Sequence, residues 1–429
     1  MIQGILSQGE KHGFSTVEMF REKREWQEYE RYNGHIFFHE VHNNHLTVRA
    51  FRESGDPVGF YLSNPTDAAM KRAFSQVGAV NIPDQKPNFA DYLPVSVQKV
   101  GTNIFDPTVE SFGRKDFEAL LERLDEHLQE FPDLSLRKVR LLKILKKIYV
   151  ANTNGLNGKY KKSQFNLIMS LASGDNMVEI NENKIYFAQL DPGRMIIRGG
   201  NLLRSLTDCP DKDVSTRYLI LAPEASTLVL KEFSHHFKLK DRDHLPNMLF
   251  SSVLNIVDDP SLDGQSGSVI FDDEGVQSRG AYIIEKGAFS GAISNVETAF
   301  LNNRSSSGNG FRPASTPFPQ VQFSNLYIKP TVLGLDTLMK EAGRGILVSL
   351  AKVKLVERDG IVFSAYGYRF RGVDRGQPVH FHFKTSFLSY FMKVLRVSKE
   401  IKFFHSQFNV GSPFLLVEGK YKSPSIFEI

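Results

Sequence analysis

The residues with chemistry to offer fall into a few groups, and each has a plainer structural explanation beside the functional one. His35, His39, Glu40, His42 and His45 crowd a short segment, but the order HEVHNNH is not a zinc-binding HExxH, because the residue four beyond His39 is Asn43. On a strand, His42 and His45 would fall on opposite faces, so a polar hairpin is the expected reading. Arg137, Lys138, Arg140, Lys143, Lys146, Lys147, Lys159, Lys161 and Lys162 make the most basic stretch. A track for nucleic-acid phosphates would want these on one side with aromatic rings between them, and only Tyr149 and Tyr160 are near, which favours a solvated face. Asp258-Asp259-Pro260 and Asp272-Asp273-Glu274-Gly275 offer paired carboxylates, but their spacing is not that of a calcium loop and Asp before Pro or Gly is ordinary turn chemistry. The run Lys231-Glu-Phe-Ser-His-His236 joins a carboxylate to two imidazoles, whereas catalytic zinc needs three good ligands and an open position.

The elements that would carry these groups alternate between strand and helix text. Residues 17–21, 28–32, 35–40, 46–51 and 59–62 read as strands, with Asn33-Gly34 and Asn43-Asn44 as turns. Residues 67–77 read as a helix behind Asn-Pro-Thr. A Pro-containing polar linker at 81–94 precedes a helix at 117–131, where apolar residues keep a helical period, and Pro132 stops it. Strands are then expected at 139–151, 165–171 and 184–189. Residues 218–222 read as a buried strand leading into a helix from Pro223 to roughly His236, with Pro well placed to start it. From Ser252 onward the chain is mostly strands and Gly/Asp/Asn turns, with one helix near 335–342. Without regular βαβ alternation, this favours an α+β fold. The expected layout is an N-terminal strand meander with flanking helices over 1–80, a middle α+β segment over 98–212 and a large β-rich C-terminal domain over 215–429.

The composition of all 429 residues, with 41% hydrophobic and 24% charged, is that of a globular chain able to bury a core without staples. A single cysteine, Cys209, excludes a disulfide framework and a Cys-based zinc finger. A net charge of +5 over this length is too mild to indicate nucleic acid. No apolar run approaches the ~20 residues of a membrane span, and no secretory leader is expected, so a cytoplasmic location is.

Several motifs in order carry a family resemblance: Leu254-Asn-Ile-Val-Asp-Asp-Pro260, Gly267-Ser-Val-Ile-Phe-Asp-Asp-Glu-Gly-Val276, Ile284-Glu-Lys-Gly287, Ser307-Gly-Asn-Gly310, Phe323-Ser-Asn-Leu-Tyr-Ile-Lys-Pro330, Glu341-Ala-Gly-Arg-Gly-Ile346 and Gly411-Ser-Pro-Phe-Leu415. With Ala151-Asn-Thr-Asn-Gly-Leu156 upstream, the chain resembles the TldD/PmbA family, often labelled "modulator of DNA gyrase". The resemblance singles out Asp258, Asp259, Asp272, Asp273, Glu274, Gly308, Asn309 and Gly310 as family-motif positions. It implies paired subunits, one TldD-like with zinc on a HExxxH helix plus a later cysteine, the other PmbA/TldE-like without those ligands. Together such subunits cleave small unfolded polypeptides.

Aligned to that helix, Glu232 matches the general base and His236 the second ligand, but Lys231 stands at the first. A protonated lysine has no lone pair for a metal. Cys209 lies upstream of the helix, and residues 397–413 hold only His405. The resemblance therefore implies a PmbA/TldE-like, non-catalytic subunit with no catalytic zinc, Glu232 vestigial, and His235, His236 and His405 as the residual metal candidates. Its expected partners are a TldD-like catalytic subunit, a second copy of itself and unfolded peptide, with neither nucleic acid nor membrane. The alternatives are a self-sufficient metallopeptidase with a rearranged site and a DNA- or gyrase-associated binding protein.

Overall fold

Alternation is strongest near the N-terminus, and there the strands are longer than their local text suggests. In the computed structural model, which describes residues 2–53, 56–80, 88–97, 101–206, 216–239, 250–313, 316–423 and 426–429, β1 (Thr16–Tyr32) and β2 (His35–Phe51) are each continuous over 17 residues. Asn33 and Gly34 take positive φ (49° and 79°), as a tight hairpin turn requires. The expected second turn at Asn43-Asn44 does not form. Those residues pair with Arg24 and Lys23 of β1, and Arg21 donates to the Asn44 side chain at 2.9 Å. Pairing with a long partner strand overrides a local turn preference.

The sheet continues as β3 (Val58–Ser63), β4 (Ser135–Asn152), β5 (Asn157–Ser173) and β6 (Asn176–Lys184), all antiparallel, in the order β3-β2-β1-β4-β5-β6. The first and middle segments thus contribute three neighbouring strands each to one sheet. The strand expected at 184–189 is instead the end of β6 followed by a short 3-10 turn, Phe187–Gln189. There the Phe187 amide donates to Asp106 at 2.9 Å and its ring meets Phe112.

One face of this sheet is covered by helices. Packing around Val17, Met19, Val48 and Phe74 fixes α1 (Ile2–Lys11) and α2 (Asp67–Gly78), the latter capped by the Thr66 hydroxyl. A second cluster around Phe117, Leu124, Leu141, Leu167, Met195 and Ile196 fixes α3 (Arg114–Gln129) and α4 (Pro192–Leu206). The opposite face meets the C-terminal domain, where Phe20, Ile148, Val150 and Tyr160 pack on Val269 and Phe271.

The C-terminal domain places an eight-stranded and a six-stranded sheet around α5 (Pro223–Phe233). Ala225, Val229, Leu230 and Phe233 of α5 share one core with residues of both sheets, including Ile256, Leu326, Val348, Phe363 and Phe383. On Asp374–Thr385, Phe381 and Phe383 are buried while His380, His382 and Lys384 alternate on the half-exposed face, as for a sheet covered on one side. The architecture is α+β. Among the described residues, no helix is long and apolar enough to cross a membrane.

Candidate functional site

α5 carries the window that sequence comparison with zinc enzymes singles out. The helix stops at Phe233, and Ser234–Phe237 continues as a 3-10 turn. Even on an ideal α-helix, a residue five positions on lies about 140° round the axis. Lys231 accordingly looks into a cavity of about 280 Å³ that it shares with Arg198, Glu224, Thr227, Phe404 and His405. His236 instead lies against Phe387, ring centroids 4.3 Å apart, and His235 is exposed. Glu232 and His236 do not line the Lys231 cavity. His405 stands in its wall, held down to about 4 by burial and by the nearby Lys162 and Lys146 charges, and its Nδ1 is 3.3 Å from the Ser266 hydroxyl. Cys209 lies outside the described residues.

The carboxylate groups are brought together, but as joints. Asp258 accepts from the Asn309 side chain at 2.7 Å and from Ser324, and burial pushes it up to about 6. Asp259 caps the following turn through Ser261. Asp272 accepts three backbone amides, from Glu274, Val276 and Gly310, while burial holds it well above the usual carboxylate range. Asp273 accepts from the Arg312 amide at 2.6 Å and is raised to about 7 by burial. Glu274 accepts from the Val296 amide and from Arg49, both at 2.8 Å. Gly308 has φ of 77°, and a Cβ on Gly310 would sit 2.2 Å from Glu274. These requirements explain the glycines of Ser307-Gly-Asn-Gly310 without catalysis.

Glu274 completes a buried ion network that ties the N-terminal sheet to the C-terminal domain. Arg49 of β2 pairs with Glu18 of β1 and with Glu274, and Arg312 reaches Glu18 from the other side. Burial alone would raise Glu18, but Arg49 and Arg312 outweigh it and hold the carboxyl below its usual range. Sequence reasoning missed Glu18, Arg49 and Arg312. Each is an isolated charge in its own segment, and only the contact between sheet and domain makes them a group.

The basic stretch is largely neutralised by a strand that local reading treated separately. Lys138, Arg140, Lys146 and Lys147 on β4 meet Glu30, Glu28, Glu22 and Glu25 on β1, and Lys161 meets Glu110. The paired side chains leave no continuous cationic track. The histidines of β2 do not gather either. His42 is exposed, His39 meets the edge of Trp26, and His45 bonds the Tyr61 hydroxyl. Above this face of the sheet lies the second cavity, of about 450 Å³, closed by the 266–273, 311–313 and 322–324 segments and by His405 and Phe408.

Residues 220–422 match the family model described as the PmbA/TldA metallopeptidase C-terminal domain. These residues form a C-terminal domain of the TldD/PmbA family. Among curated relatives, a metalloprotease of Methanothermobacter thermautotrophicus is 30% identical over 173 residues, 40% of this chain. A metalloprotease of Methanocaldococcus jannaschii is 30% identical over 139 residues, 30% of this chain. These matches span 36% and 31% of the relatives' own lengths. Among solved structures, TldE from Thermococcus kodakarensis superposes with a TM-score of 0.85 at 17% identity, covering 97% of this chain and 98% of that one. A Thermotoga maritima protein described as a modulator of DNA gyrase gives 0.79 at 15% identity, covering 97% and 98%. At such identities the structural likeness speaks for the fold.

The zinc that the TldD/PmbA family implies does not fit the residues present here. The first ligand position holds Lys231, whose ammonium offers only donors and would repel a cation. His236 is turned against Phe387, away from the cavity that Lys231 and His405 share. Among the described residues, no three His, Cys, Asp or Glu side chains converge as a metal site.

Proposed function

We propose that this chain is a PmbA/TldE-like, non-catalytic subunit of a TldD-type metalloprotease system in the cytoplasm. It pairs with a TldD-like catalytic subunit and helps enclose small unfolded polypeptides for processing. The observation that carries the reading is Lys231, a metal-repelling cation facing the cavity where the family resemblance places the first ligand, with His236 pointing elsewhere. Glu232 then has no metal-bound water to deprotonate. Exposed strand edges would suit extended peptides, because backbone pairing accepts varied sequences.

Elemental analysis of the purified chain should give no stoichiometric zinc, and Glu232→Gln should leave in-cell processing by the assembled system nearly intact. In an active zinc peptidase, loss of the general base costs about two or more orders of magnitude in rate. About one zinc per chain, lost when His236 is replaced, would overturn the reading, as would collapse of processing by an assembled Glu232→Gln complex.

A further inference from the structure

The wall of the larger cavity contains a charge arrangement that the network and the salt bridges above leave unbalanced. The register sets Arg24 of β1 opposite Lys146 of β4, and Lys146 opposite Lys162 of β5. All of them line the cavity. Like charges directly opposite one another on neighbouring strands are destabilising. The next row, Lys23, Lys147 and Lys161, repeats the pattern on the other face, but there Glu25 and Glu110 offset Lys147 and Lys161.

In the cavity row only Lys146 makes an ion pair, with Glu22 at 3.2 Å, while Glu22 also faces Arg24 and, together with Asp273, acts on Lys162, so three cations share two carboxylates. Lys162 is 8% exposed, and its ammonium donates to the Ser268 carbonyl at 2.8 Å, a neutral acceptor. Arg24 makes no ion pair among the described residues, and its Nε is buried without a partner. The other carboxylate in the wall, Asp273, is already engaged by the Arg312 amide. A buried cation that no carboxylate touches directly is costly unless something pairs with it. Burial and the field of Lys146 outweigh Glu22 and Asp273 and bring Lys162 down to about 7, and the same two lysines help hold His405 down. Beside the cations the wall mixes polar side chains with an aromatic and aliphatic part formed by Phe20, Ile148, Phe311, Phe323 and Phe408. The volume, about 450 Å³, is in the range of small-ligand sites.

We propose that this cavity binds a carboxylate attached to an apolar body, Arg24 and Lys162 taking the carboxylate and the phenylalanine wall taking the side chain. The choice of a peptide C-terminus as the source rests on the peptide-enclosing function proposed above; the preference for a carboxylate over a neutral group does not. Lys146 stays with Glu22 and sets the field. Lys162 is a binding residue here, and no covalent step is involved.

The test is calorimetric titration of the isolated full chain with N-acetyl-Ala-Phe and with its C-terminal amide. The free acid should bind at least about tenfold more tightly than the amide, a difference of about 1.4 kcal/mol. Arg24→Gln and Lys162→Met should each remove most of that preference. Arg24 is half-exposed and makes no ion pair, so Arg24→Gln decides the matter if the Lys162 variant fails to fold. Equal binding of acid and amide, binding of neither, or an unchanged preference in Arg24→Gln would overturn the proposal. So would displacement of the acid by inorganic phosphate at equal concentration, which would mean that the cavity reads charge alone. None of these outcomes depends on a TldD-like subunit, so failure here is separable from failure of the proposed assembly.

Discussion

Lys162 shows how a residue can be expensive to the fold and still be kept. In the unfolded chain it titrates near 10.5, and in the folded chain at about 7. Between those values the unfolded state holds the extra proton, so this residue's contribution to stability rises as pH climbs from about 7 to 10.5. Lys162→Met removes that dependence. The variant should exceed the parent in stability at pH 7 by a few kcal/mol, at about 1.4 kcal/mol for each tenfold in proton affinity, and the advantage should shrink toward pH 10. Urea denaturation at both pH values checks this. An advantage that stays constant or grows with pH would mean that Lys162 is not desolvated. A stabilising substitution that costs ligand binding would be the ordinary trade-off of a functional site.

Among elements, the joint between β2 and the 272–276 turn is held by a buried ion network. Arg49 is 1% exposed and holds Glu18 and Glu274 together, and without it both carboxylates would be buried with one fewer counter-charge. Breaking a buried pair from one side typically costs ~3–5 kcal/mol. Arg49→Met should therefore lower the unfolding free energy by that order, read as a lower denaturant midpoint with little change in m-value. Adding Glu274→Gln should recover part of the loss, since the orphaned charge goes with it. A midpoint unchanged in Arg49→Met would show that the network does not hold the sheet to the domain. The β1–β4 ladder of glutamates and lysines is different in kind. Its pairs are part-exposed, each worth a fraction of a kcal/mol, and they matter for register and for neutralising the basic stretch.

For the whole molecule, the open question is assembly. The phenylalanines of the C-terminal domain at 363, 370, 381, 383, 387, 391 and 408 are buried in its core, so they do not supply a docking face. Exposed apolar side chains occur elsewhere, at Val353, Leu355 and Val356 near the end of one strand and at Tyr32, Phe37 and Phe38 beside the first hairpin turn. On the pairing proposed above, the chain should form a homodimer alone and a heterodimer with a TldD-like subunit, and obligate interfaces commonly bury over ~2,000 Å². Light scattering should give about twice the 48.6 kDa monomer mass at micromolar concentration. A monomer that forms no complex when the partner is added would end the proposal of paired subunits.

What the sequence determined was local or carried by motif order. The α+β class, the α2, α3 and 335–342 helices, the first hairpin turn and the family were all legible, because periodicity, capping residues and turn residues act within a few positions. The missing first ligand was legible too, since Lys231 is incompatible with a cation wherever it points. Tertiary structure alone decided the rest. Pairing with β1 straightened β2 through Asn43-Asn44 and set glutamates against the basic stretch, because a strand's partner fixes its register and its charges. Packing put His236 against Phe387 and set Lys231 facing a cavity shared with His405. Glu18, Arg49, Glu274 and Arg312 met only when the sheet packed on the C-terminal domain. Arg24, Lys146 and Lys162 became one row for the same reason: charge acts through space, and the sequence records only distance along the chain.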